Sequence, residues 1–142
     1  MISAAVVDAS VLVKWVVPES DSDRARALSA VRLEAPDLLP VECANILWKK
    51  VRRGQLSERE ACASLASLLA APVELFASGE LLDSALRVSL DVRHPVYDCV
   101  YITLALRRNI PLLTADRGLH AAARKQRQLA GRVILLGELP LD

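Results

Sequence analysis

The chain has 142 residues, 53% of them hydrophobic, and a net charge of +1. That length suits one domain with a real core, and the hydrophobic content excludes a disordered chain. A charge so near zero excludes a strongly basic glove for nucleic acid, though not a local basic patch.

The three cysteines, Cys43, Cys62 and Cys99, are odd in number and include no Cys-x-x-Cys pair. Zinc sites and disulfide frameworks both read poorly from them; reduced, mostly buried thiols of a cytoplasmic protein are expected. The apolar N-terminal run has no basic leader and is interrupted by Asp8 and Lys14, so it is neither a secretory signal nor a membrane span. No other stretch reads as membrane-crossing.

Residues 2–7 form an apolar run too short for a helix, which suits a strand buried on both faces. Asp8 falls at its end. Ser10 is expected to cap a short helix over residues 11–15. After Pro18 and an acidic stretch, residues 24–32 read as helical, and residues 34–39 as a short extended piece demoted by Pro36. Pro40 opens a helix over residues 41–53, with Gly54 as its stop. Ser57 and Glu60 make a capping-box pattern for a further helix that stops before Pro72. Residues 73–76 read as a strand. The helix beginning at Ser78 or Gly79 is expected to turn Leu82, Ala85, Leu86 and Leu90 inward. After His94 and Pro95, residues 96–109 are helical with Asp98 in the first turn. Residues 110–114 read as a strand with Asp116 past its end, residues 117–128 as a helix, and residues 133–136 as the last strand. Strands alternating with helices predict an α/β fold whose parallel sheet is covered on both faces.

In such a fold, a residue just after a strand lies at the carboxyl edge of the sheet, and so does one in the first turn of the following helix. Asp8 and Asp116 fit the first description, Glu42 and Asp98 the second. If the strands carrying Asp8 and Asp116 are neighbours at a switch point, the two acids flank one crevice. Strand order is not given by sequence. Asp8 with Ser10, and Thr114 with Asp116, are mirror pairings of acid and hydroxyl. Taken singly, each acid reads as a helix cap or a partner of a helix dipole. Taken together, crowded carboxylates repel, and a divalent cation relieves the repulsion. Oxygen-only ligands favour magnesium or manganese over zinc. Such ions typically serve phosphate chemistry, by activating a water and stabilising the leaving oxygen. Basic contacts for a polyanion are available in Lys49, Lys50, Arg52 and Arg53, in Arg107 and Arg108, and in Arg117, Arg124, Lys125 and Arg127. Most of these also read as solvated helix faces.

Val6-Val7-Asp8-Ala9-Ser10-Val11-Leu12-Val13-Lys14-Trp15, Glu42-Cys43-Ala44-Asn45, Tyr97-Asp98-Cys99-Val100-Tyr101 and Leu113-Thr114-Ala115-Asp116-Arg117-Gly118-Leu119 together resemble the PIN domain, and within it the VapC-type toxins of bacterial type II toxin–antitoxin pairs. The resemblance spans nearly the whole chain, residues 1–142 as a single PIN domain, with the motifs in the family's order. It implies a three-layer α/β fold with a central parallel sheet of about five strands. It also implies a Mg2+- or Mn2+-dependent endoribonuclease that cleaves RNA by metal-activated water. Asp8, Glu42, Asp98 and Asp116 would form the acidic quartet, serving both catalysis and metal binding, with Ser10, Asn45 and Thr114 in support. A cognate antitoxin that covers the site, a homodimer and a cytoplasmic location are further implications. None of the four acids departs from the family's pattern.

Trp15 and Trp48 read as packing or interface residues, and His94 as a loop histidine near a helix start. Two other functions remain open from the residues alone. One is a phosphohydrolase or receiver-like domain with an acidic pocket, in which an aspartate becomes phosphorylated. The other is a non-catalytic protein-binding module whose acids receive a partner's arginine.

Overall fold

The computed structural model of the chain describes residues 2–140. Five strands, β1 (Ala4–Val7), β2 (Arg32–Pro36), β3 (Val73–Phe76), β4 (Leu112–Thr114) and β5 (Val133–Leu135), make one sheet in the order β3-β2-β1-β4-β5, and every pair is parallel. The helices are α1 (Ala9–Leu12), α2 (Ser22–Ala27), α3 (Leu39–Arg52), α4 (Glu58–Leu69), α5 (Leu82–Val92), α6 (Val96–Arg108) and α7 (Arg117–Arg124). This is the three-layer α/β architecture expected from the alternating pattern.

β1 is buried at every residue, as a central strand of a parallel sheet must be. Its alternate side chains serve two cores. Ala5 and Val7 join Leu33 and Leu113 beneath α2, with Ala25 and Leu28. Val6 and Leu112 face the larger core built around α6. Residues 99–105 of α6 are all buried, so this helix is a core element with no solvent stripe along its middle. Each fully buried Val, Leu or Ile side chain contributes about 1.5–3 kcal/mol over leaving it exposed.

Three local expectations need correction. Asp8, rather than Ser10, is the N-cap of α1: its side chain accepts the Val11 N–H. Ser10 lies inside the helix with its hydroxyl free for the sheet edge. β2 is a full interior strand despite Pro36. The Arg32 N–H donates back to the Ser3 carbonyl on the β1 side, and by the parallel register residue 36 would aim its N–H at the carbonyl of Val7, the last residue of β1. The proline therefore removes only the last rung between the two strands, at the end of β1. The third correction concerns α5. Ala85 is buried as expected, but Leu82, Leu86 and Leu90 are 50%, 53% and 71% exposed. The inner stripe is Leu81, Ala85, Val88 and Val92. A 3-10 turn over Ser78–Leu81 fixes the phase of this helix, which carries two apolar stripes at helical spacing.

Other local signals agree with the chain. Pro40 lies in the first turn of α3, and Gly54 follows its end at φ 73°, a left-handed stop that suits glycine. The Ser57–Glu60 capping box opens α4. Cys43 and Cys99 are buried and Cys62 is exposed, all three free. Trp48 is also exposed, with the Arg52 guanidinium 5.0 Å from its ring. Arg108 and Arg107 are engaged in packing. Arg108 grips the fully buried Glu34 of β2 through two bonds of 2.7 and 3.3 Å, and Arg107 binds the Glu80 carbonyl and Ser84. Among the described residues, no helix is long and apolar enough to cross a membrane.

Candidate active site

The chain builds β1, β2 and β3 outward in one direction, then crosses back to place β4 on the other side of β1. The reversal lies between β1 and β4, and such a switch point opens a crevice at the carboxyl edge. The adjacency that strand order left open is therefore present. Asp8 directly follows β1, and Asp116 lies two residues beyond the end of β4. Glu42 and Asp98 sit in the first turns of α3 and α6.

Two hydroxyls stitch the strand ends together. Thr114 Oγ1 donates to Asp8 Oδ2 and accepts the Asp116 N–H at 3.0 Å. Ser10 Oγ donates to Asp8 Oδ1 at 2.5 Å and accepts the Ala115 N–H at 3.0 Å. The Val11 N–H reaches Asp8 Oδ1 at 3.2 Å. Asp116 Oδ1 accepts the Leu119 N–H at 3.0 Å, which caps α7. Capping and site-building are thus one arrangement for Asp8 and Asp116. Gly118 leaves room beside Asp116: a Cβ there would come within 3.2 Å of Asp116 Oδ1.

Asp8 is 5% exposed. Burial pushes its carboxyl up to about 6, against the pull of the Ser10, Thr114 and Val11 hydrogen bonds, and the neighbouring Asp98 charge adds to the rise. Glu42 is raised too, first by burial and also by Asp98, with Tyr101 opposing. Among the described residues, no lysine or arginine forms an ion pair with Asp8, Glu42, Asp98 or Asp116. Four acids share one edge with no fixed cation to balance them.

Two residues that sequence reasoning left aside belong here. His94 Nε2 meets Asp98 Oδ2 at 2.6 Å, and ligand atoms of His94, Asp98 and Asp116 all lie within 4.8 Å of one another. Its spacing of four from Asp98 was the available signal, since residues i and i+4 share a face where a helix continues through them. Tyr101 is wholly buried beside Glu42, and its hydroxyl completes no hydrogen bond of good geometry. Burial and the nearby carboxylate push this phenol far above its ordinary range. Asn45 is exposed, and no side-chain hydrogen bond among the described residues holds it. Of the basic candidates, Arg117 stands exposed at the start of α7, directly after Asp116.

The donor set fits a hard divalent cation. Carboxylates crowd together unneutralised, one is pushed toward protonation by burial, and a buried hydroxyl beside them is unsatisfied. The family model for the PIN domain matches residues 5–125. The chain belongs to the PIN-domain family. This PIN domain is 41% identical over 118 residues to Ribonuclease VapC3 of Pyrobaculum aerophilum, covering 80% of this chain and 90% of that protein. Among solved structures it is similar to PAE2754 from the same organism, with a TM-score of 0.69 and 26% identity over 96% of this chain and 85% of that one. It also shares its fold with VapC20 of Mycobacterium tuberculosis, a sarcin-ricin loop cleaving toxin. That match has a TM-score of 0.64 and 19% identity over 83% of this chain and 94% of that one.

Proposed function

We propose that this PIN domain is an endoribonuclease toxin of the VapC type that hydrolyses RNA phosphodiester bonds with a bound Mg2+ or Mn2+ ion. The observation that carries the reading is the set of four carboxylates at the β1–β4 switch point with no lysine or arginine partner among the described residues. Asp8, Glu42, Asp98 and Asp116 would hold the ion and serve catalysis. When bound, the ion supplies positive charge for the scissile phosphate and makes water a stronger nucleophile at neutral pH.

The chain's own groups do the rest. Ser10 and Thr114 fix both oxygens of Asp8, so this carboxylate needs no reorganisation on binding. Burial raises the Glu42 carboxyl above the ordinary range, which makes it a better proton acceptor than a solvated carboxylate. Arg117, exposed beside Asp116, is placed to meet the backbone of an incoming strand. The test is cleavage of a total RNA substrate by wild type and Asp98→Ala, with millimolar Mg2+ and after chelation. Wild type with Mg2+ should cleave, and the variant should fall by at least about a hundredfold. Equal rates for the two proteins would sink the assignment.

Two partners complete the reading, and both act on a cytoplasmic single-domain protein. A second copy of the chain would cover the exposed stripe Leu82, Leu86 and Leu90, giving a homodimer. Leu86→Glu should then halve the mass measured by light scattering while the far-UV spectrum stays unchanged; an unaltered mass would point to another interface. A cognate antitoxin would lay an apolar segment in the groove between α3 and α4, where Leu47, Trp48, Val51, Ala61 and Leu65 line an open surface.

A further inference from the structure

We infer that the imidazole of His94 is a nitrogen donor to the divalent cation of this site, on the side formed by Asp98 and Asp116. The inference rests on the reading of the four acids as a cation site and names a fifth group in it.

Ligand atoms of His94, Asp98 and Asp116 fall within 4.8 Å of one another. His94 Nε2 lies 2.6 Å from Asp98 Oδ2. Ligand atoms about 2.1 Å from one ion occupy adjacent octahedral corners about 3 Å apart, so a small opening of this pair admits a shared ion. Such a ligand requires the tautomer with its proton on Nδ1, leaving Nε2 a lone pair.

The backbone presents this ring rigidly. Arg93 takes a left-handed conformation at φ 57° to end α5, and Pro95 sets the start of α6. Between them, the His94 N–H donates to the Ser89 carbonyl at 3.3 Å. The His94 carbonyl accepts from Ser89 Oγ and from Cys99 Sγ. A side chain held only by surface chance would not need its backbone pinned from two helices. The Tyr101 hydroxyl, wholly buried against Glu42 and near Asp8, completes no hydrogen bond of good geometry there, so the inner side of the same cluster is loosely satisfied as well.

A nitrogen donor changes which ion the site prefers. Mg2+ takes oxygen almost exclusively, whereas Mn2+ and later first-row metals accept imidazole. This chain should therefore favour Mn2+ over Mg2+ more than an all-carboxylate site would. In His94→Asn, the Mn2+ dissociation constant should rise by about tenfold and that for Mg2+ by less than about threefold.

The decisive readout is spin-echo envelope modulation of bound Mn2+, which detects a coordinated imidazole nitrogen. Wild type and His120→Gln should show the coupling, and His94→Asn and His94→Gln should lack it while still folded by circular dichroism. Mn2+ bound to wild type without imidazole coupling, or coupling that persists in both His94 variants, would overturn the inference and leave the acidic site standing. Failure of wild type to bind millimolar Mn2+ would overturn both.

Discussion

Asp8→Asn should lose RNA cleavage by roughly a thousandfold or more and yet, free of metal at neutral pH, unfold at a higher temperature than wild type. The two effects share a cause. Asp8 is buried, and burial is the largest influence on its carboxyl, raising it from 3.8 to about 6. A group whose pKa is higher in the folded chain favours folding in its protonated form. Its contribution is full below 3.8 and is lost as pH rises through about 6. Metal-free wild type should therefore lose stability across that window, by about 3 kcal/mol for a shift of this size. Asparagine carries no charge to desolvate. Its Oδ1 can still accept from Ser10 and the Val11 N–H, and its amide can donate to Thr114 Oγ1, whose own hydrogen then turns away. The variant should gain about 2 kcal/mol at pH 7, or roughly 6 °C in Tm, and its stability should be flat where that of wild type falls. A wild-type stability that rises from pH 4 to 7 would contradict this account of Asp8. Saturating Mn2+ should reverse the ranking, because the ion stabilises only the protein that binds it.

Thr114→Val is the second large effect, and it carries the opposite sign for stability. The substitution keeps the shape and removes one hydroxyl. That hydroxyl donates to Asp8 and accepts from the Asp116 N–H, and Thr114 is fully buried. Both partners would be left short, and Asp8 is in a place water does not readily reach. Loss of a buried bond to a charged group costs about 2–3 kcal/mol, with the loss at the partly exposed Asp116 N–H adding little. Because the Thr114 bond lowers the Asp8 carboxyl, its removal should push that group further up. Metal affinity should fall about 10–100-fold, as for loss of a partner that orients a ligand. Urea unfolding should show a lower midpoint with an unchanged m-value. Thr114→Ser, which keeps the hydroxyl, should recover most of the loss. If the serine variant is as impaired as the valine one, packing of the methyl group outweighs the bond.

The fold was legible wherever local chemistry and burial agree. The run ending at Asp8 is apolar because β1 is covered on both faces, and Pro40, Gly54 and the Ser57–Glu60 pair punctuate helices for reasons internal to the chain. The four acids were legible as a set because the ends of parallel strands and the starts of their helices share one edge. Other features depended on tertiary choices. Leu82, Leu86 and Leu90 have the spacing of a buried stripe, yet the chain entering α5 through a 3-10 turn buries Leu81, Ala85 and Val92 instead. Pro36 looked like a strand breaker because nothing local says that its missing N–H costs β2 only the last rung against β1. His94 read as an ordinary loop histidine because its role depends on a ring-to-carboxylate contact that spacing suggests but does not establish. Tyr101 lies on α6 amid apolar neighbours, and nothing in the sequence says that its hydroxyl is buried beside Glu42.

The most direct measurement is RNA cleavage by the purified chain after chelation and again after restoring Mg2+ or Mn2+, with Asp8→Asn and Asp116→Asn beside it. The account predicts no cleavage by the stripped protein, recovery on adding either ion, and no recovery in the two variants. Cleavage that survives chelation, or that returns in the variants as it does in wild type, would contradict it.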